Sequence, residues 1–114
     1  MKKPNSLVPC CSSLLVGRLT LDEAVNLAAL FRVLSEPARL QMLNLIAAQS
    51  NQEVCACELV EPLGLSQPTI SHHLKVMYES GLLERERRGT WIYYRIVSEK
   101  LNLLREALSQ LPAG

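Results

Sequence analysis

With 114 residues, 48% of them apolar and 20% charged, the chain has the balance of one globular domain and not of a disordered segment. A formal net charge of +1 excludes a broad electrostatic hold on nucleic acid, so any binding to a polyanion would have to come from basic residues gathered on one face. A domain this small buries a limited core, which favours stabilisation by a second copy.

The amino terminus carries Lys2 and Lys3 but no continuous apolar run of the kind a secretory signal needs, and Pro4 and Pro9 interrupt it. Nothing later approaches the roughly 20 apolar residues of a membrane span. A cytoplasmic protein is expected, and in a reducing cytosol Cys10, Cys11, Cys55 and Cys57 read as thiols, metal ligands or redox sensors before disulfides. Residues 1–18 show no period and are expected to form a mobile amino-terminal arm carrying Cys10 and Cys11. Residues 19–114 are expected to form the folded domain.

A capping box, Thr20-Leu21-Asp22-Glu23, opens a first helix that runs to about Leu34, with Val25, Ala28, Ala29 and Phe31 among its apolar positions. Ser35 is expected to cap a second helix with Glu36 and Pro37 in its first turn and Leu40, Leu43 and Ala47 facing inward. A third helix is expected over about Val54 to Leu63, ending near Gly64. Ser66 then caps a fourth, with Pro68 in its first turn and Gly81 after its end. Two helices joined by Gly64-Leu65-Ser66 have the shape of a helix-turn-helix.

The period changes at Leu82. Ile92, Tyr94 and Ile96 alternate with Trp91, Tyr93 and Arg95, and Arg88-Gly89 supplies a turn back to Leu82–Arg87, which makes a hairpin, or wing. Ser98 can cap a last helix whose Leu101, Leu104, Leu108 and Leu111 form a narrow stripe suited to helix pairing.

Stepping about 100° per residue along the fourth helix puts Ile70, Leu74 and Met77 together as core anchors. Ser71, His72 and Lys75 fall on the opposite, polar half, with Thr69 on its edge and Gln67 at the amino end, where recognition helices meet bases. Gln can pair bidentately with adenine, and Ser or Thr can serve bases or phosphates. In isolation this would be an ordinary solvated face, but the wing that follows carries Arg85, Arg87, Arg88 and Arg95. Of these, Arg87 and Arg88 are assigned to phosphates. His72-His73 is a poor metal pair, because neighbouring helix residues diverge.

Leu34-Ser35-Glu36-Pro37-Ala38-Arg39-Leu40, Leu65 through Lys75, Gly81-Leu82-Leu83 and Arg88-Gly89-Thr90-Trp91-Ile92-Tyr93-Tyr94 together resemble the ArsR/SmtB family of bacterial metal-sensing repressors, in order over roughly residues 20–111. The resemblance implies a mainly α, dimeric winged helix-turn-helix with a β-hairpin wing, whose terminal helices dimerise. It also implies a repressor that leaves an inverted-repeat operator when metal binds.

Thiolates select soft or borderline ions. On a regular helix Cys55 and Cys57 would diverge by about 200°, so one ion could take both only with local distortion, and distortion there would move the reader. The resemblance adds that arsenic, cadmium and lead sensors carry a Cys-x-Cys pair before the reader, and that some recruit cysteines from an amino-terminal arm, as Cys10-Cys11 could, across a dimer. Three thiolates suit pyramidal As(III) or Sb(III), and four suit tetrahedral Cd(II), Pb(II) or Zn(II); As(III)/Sb(III) is the first reading, and the others stay open. The Asp and His ligands that zinc, cobalt and nickel sensors of the family use in the last helix are absent from Ser98–Leu111. Two rivals keep the cysteines for redox chemistry: a thiol or persulfide-sensing repressor, and a small thiol oxidoreductase. The latter lacks a βαβ pattern around the pair and leaves the arginines unexplained. No phosphate loop, zinc-protease run or Ser-His-Asp set marks an enzyme.

Overall fold

A computed structural model of the chain describes residues 18–109 and 111; the expected arm, with Cys10 and Cys11, lies outside the described residues apart from Arg18. Helix α1 (Leu21–Leu34) starts as its sequence dictates. The Thr20 hydroxyl accepts from the Glu23 amide at 3.1 Å, and the Glu23 carboxylate accepts from the Thr20 amide at 2.8 Å. Helix α2 (Pro37–Ala47) starts differently from expectation. Glu36, not Ser35, is its cap, accepting from the amides of Ala38 and Arg39 at 2.6 and 3.2 Å. Ser35 closes α1 instead, its hydroxyl donating to the Arg32 carbonyl. A carboxylate reaches two orphan amides at once and suits the positive end of the dipole, so Glu36 takes the cap.

The expected third helix is replaced by three short elements. Strand β1 (Glu53–Cys55) comes first, then a 3₁₀ turn over Ala56–Leu59, then a single α-turn, α3 (Val60–Leu63). Gln52, at φ 56°, turns the chain out of α2 into β1, and Gly64, at φ 66°, ends α3 in the left-handed region that favours glycine. Helix α4 (Gln67–Glu79) follows with Ser66 as its cap and Pro68 in its first turn. Strands β2 (Leu83–Arg88) and β3 (Trp91–Ile96) form the wing around Gly89-Thr90, one residue beyond the expected turn. Helix α5 (Ser98–Ser109) begins at Ser98 itself, and its first backbone bond runs to the Val97 carbonyl.

The sheet order is β1-β3-β2, all antiparallel. Val54, Leu83, Tyr94 and Ile96 point from one face into a core completed by Met42, Leu43, Ile46, Leu59, Ile70, Leu74 and Met77. Of the α1 residues only Leu30 is buried, where it meets Leu82 and Leu104. Val25 and Phe31, expected as apolar positions, are exposed, as are Leu19, Leu21, Leu103, Leu108 and Leu111. The apolar stripes of α1 and α5 are therefore wider than the neighbouring elements cover among the described residues. No described helix is long and apolar enough to cross a membrane.

Candidate nucleic-acid interface and thiol site

Ile70, Leu74 and Met77 are fully buried, so the rotation of α4 is set by three anchors on one stripe. Gln67, Thr69, Ser71, His72 and Lys75 are all exposed on the rest of its surface. The Thr69 hydroxyl accepts from the Ser66 hydroxyl at 3.0 Å, which fixes its direction and leaves its own proton free to donate. His73, beside the exposed His72, turns inward. Its Nδ1 lies 3.2 Å from Nη1 of Arg39, whose Nε donates to the Val33 carbonyl at 2.7 Å. Because the guanidinium can only donate, His73 accepts at Nδ1, and Arg39 links α1, α2 and α4. Nothing in the spacing of Arg39 and His73 pointed to that contact; only their apposition in space does.

Strand alternation splits the wing arginines. Arg85 and Arg87 continue the core-side face of Leu83. The Arg85 guanidinium lies 4.0 Å from the centre of the Tyr78 ring on α4, and Arg87 is exposed. Arg88 and Arg95 lie on the outer face together with Glu84 and Glu86, and there each is ion-paired. Arg88 bonds Glu53 through both oxygens at 2.8 Å and Glu86 at 2.8 Å, while Arg95 bonds Glu84 at 3.0 Å and Glu53 at 3.5 Å. Bonding to Arg88 holds the Glu53 carboxyl below its usual range, with the charge of Arg95 adding to the effect. Glu53 was not singled out in the sequence, because its partners come from strands far along the chain.

The thiols are closer than a helix would allow. Cys55 ends β1 opposite Tyr93 and Cys57 lies in the 3₁₀ turn, so the expected divergence disappears and the two sulfurs are 2.9 Å apart. The Glu58 carboxylate accepts from the Cys55 amide at 2.8 Å and holds the turn. Cys55 is buried and Cys57 exposed. Hydrogen bonding to Cys55 pushes the Cys57 thiol above its usual value, and desolvation and the charges of Cys55 and Glu58 act the same way. Two thiolates on one tetrahedral ion at about 2.3 Å would lie roughly 3.8 Å apart, so the pair needs only a small opening to share an ion. Leu59, two residues on, is buried in the core against which α4 packs. Among the described residues no group of three or more Cys, His, Asp or Glu side chains is placed to hold a metal, so the pair would have to recruit further donors. Cys10 and Cys11 lie outside the described residues.

The family described as "Bacterial regulatory protein, arsR family" matches residues 36–85, from the cap of α2 to the start of the wing. The arsenical resistance operon repressor of Staphylococcus xylosus is 35% identical over 83 residues, which is 73% of this chain and 77% of that one. The transcriptional repressor SmtB homolog of Synechocystis is 31% identical over 94 residues, covering 82% and 69%. The chain belongs to the arsR family. Among solved structures, the homodimeric winged helix-turn-helix DNA-binding domain of a possible ArsR-family regulator from Mycobacterium bovis superposes with a TM-score of 0.63. It is 27% identical, and the match covers 82% of this chain and 86% of that one. The chain is thus a transcriptional repressor of this family, and the relatives are regulators and not enzymes. The family match spans Cys55, Cys57 and the whole of α4.

Proposed function

We propose that this arsR-family repressor is a cytoplasmic homodimer that holds an inverted-repeat operator and lets go when As(III) or Sb(III) is bound by Cys55 and Cys57 together with Cys10 or Cys11 of the amino-terminal arm. The observation that carries the reading is the convergence of two sulfurs, 2.9 Å apart, on the turn that leads into the reader's core packing. Opening that pair to the span an ion needs displaces the 3₁₀ turn, and Leu59 passes the displacement to Ile70 and Leu74. The exposed apolar stripes of α1 and α5 supply the dimer surface. Two-fold symmetry then sets the readers in successive major grooves roughly 34 Å apart. Gln67, Thr69, Ser71, His72 and Lys75 contact the groove. Phosphates fall first to Arg87, with Arg85 beside it, while Arg88 reaches them only by exchanging its carboxylate partners. Cd(II), Pb(II) or Zn(II) as inducer would draw a fourth thiolate, using Cys10 and Cys11 together.

The test is an operator-release titration with arsenite, antimonite, cadmium, lead and zinc, repeated with each of the four cysteines changed to Ser. Release by arsenite at the lowest concentration, lost in the Cys55 and Cys57 variants, supports the reading; release that survives removal of all four thiols ends it. The same sulfur proximity favours a second reading, reversible oxidation of Cys55 and Cys57. Release by peroxide or polysulfide alone, with every ion inert, would select it.

A further inference from the structure

Glu53 and Arg88 stand on the two outer strands of the sheet, β1 and β2, with β3 between them. Arg88 nevertheless spans the sheet. Its guanidinium crosses the Tyr93 ring at 4.5 Å from the centroid and meets Glu53 with two parallel bonds, Nη1 to Oε1 and Nη2 to Oε2, both 2.8 Å. The residue it passes over, Tyr93, is the sheet partner of Cys55. Glu53 is itself two positions from Cys55 and on the same face of β1. Its side chain is only 10% exposed, against 42% for Arg88.

Isolated surface ion pairs contribute little, but this one is two-pronged, stacked and anchored in a nearly covered carboxylate, which fixes direction as well as distance. Arg95 repeats the link on the same face, touching Glu53 at 3.5 Å and Glu84 at 3.0 Å. The carboxylate beside the thiol pair therefore holds the far strand of the wing directly, in addition to the links that run through β3.

We propose that Glu53 is a positioning residue that couples the thiol pair to the wing, its two-pronged bond to Arg88 making the wing follow β1 when an ion opens Cys55 and Cys57. This rests on the reading of those thiols given above. Movement of the reader through Leu59 and movement of the wing through Glu53 are separate routes, and the second can be cut without touching a sulfur.

The experiment uses the full chain, with operator binding followed by fluorescence anisotropy with and without arsenite, and arsenite uptake followed by the sulfur-to-arsenic absorbance. Glu53→Gln is expected to take up arsenite as the wild type does and to hold the operator within about threefold without it. The ratio of the two operator affinities, which for such couplings is about 5- to 150-fold, should fall about fivefold or more. Arg88→Lys, which keeps the charge but loses the fork, should lower the ratio similarly. A Glu53→Gln protein with lower melting temperature and weaker operator binding but an unchanged ratio overturns the proposal, because that is what a purely structural bond would do. A wild type released by arsenite alongside a Glu53→Gln variant released equally well overturns the coupling alone. A wild type that holds its operator in arsenite, antimonite, cadmium and lead overturns the thiol reading and the coupling together.

Discussion

Arg87 and Arg88 are neighbours in the chain, yet the sheet sends them to opposite faces with opposite surroundings. On the core-side face Arg85 and Arg87 extend an apolar row toward α4, and neither forms an ion pair among the described residues. On the outer face Arg88 and Arg95 meet Glu53, Glu84 and Glu86, so two positive charges face three negative ones. One face therefore presents free positive charge beside the reader, and the other is a closed network beside the thiols. Counting arginines in a wing therefore overstates its attraction for phosphate: what counts is the face on which each one stands.

If the two faces divide DNA contact from ion response, the variants should sort accordingly. Cys57→Ser should weaken arsenite or cadmium binding by about 100-fold or more, at least the loss that follows from disturbing a metal's supporting shell, and leave operator affinity without the ion intact. Isothermal titration and anisotropy check the two halves. On the reader side Gln67→Ala should remove about 1–3 kcal/mol of preference for the correct base and leave ion binding alone, which competition against single-base operator variants would show.

The raised Cys57 thiol gives the outer face a pH signature. A divalent ion must displace that proton, so cadmium affinity should climb by about tenfold per pH unit for each proton released and keep climbing past the ordinary thiol range. Arsenite binds as neutral As(OH)₃, each hydroxide leaving as water with one thiol proton as an As–S bond replaces the As–O bond, so no net proton is released and its profile should be much flatter. Equal slopes for both ions would break the assignment of Cys57.

The smallest expected difference separates the neighbours themselves. Arg87→Ala should lower the salt dependence of operator binding by about 0.9 per protomer, while Arg88→Ala should change it less, its charge being already matched by carboxylates. An equal fall for the two would erase the distinction between the faces.

Much of the frame was readable from residue order. The capping box at Thr20, the Ser66 cap, Pro68 in the first turn and the Ile70, Leu74 and Met77 stripe are local patterns, and all of them form as written. What was missed depends on partners distant in the chain. A three-residue strand is too short to show a period, so Glu53–Cys55 reads as helix until β3 lies beside it. The Ser35 cap was displaced by a neighbouring carboxylate with better reach to two amides.

Residue order alone was enough for the starts of α1 and α4, the end at Gly64, the side of α4 that faces out and the presence of a thiol pair ahead of it, because each follows from interactions within a few residues. The convergence of the two sulfurs and the tie of Arg88, but not Arg87, to Glu53 came only with the packing of the described elements. Those outcomes depend on strand pairing, which joins β1 to β3 and β3 to β2, and pairing of residues far apart leaves no mark in a local pattern.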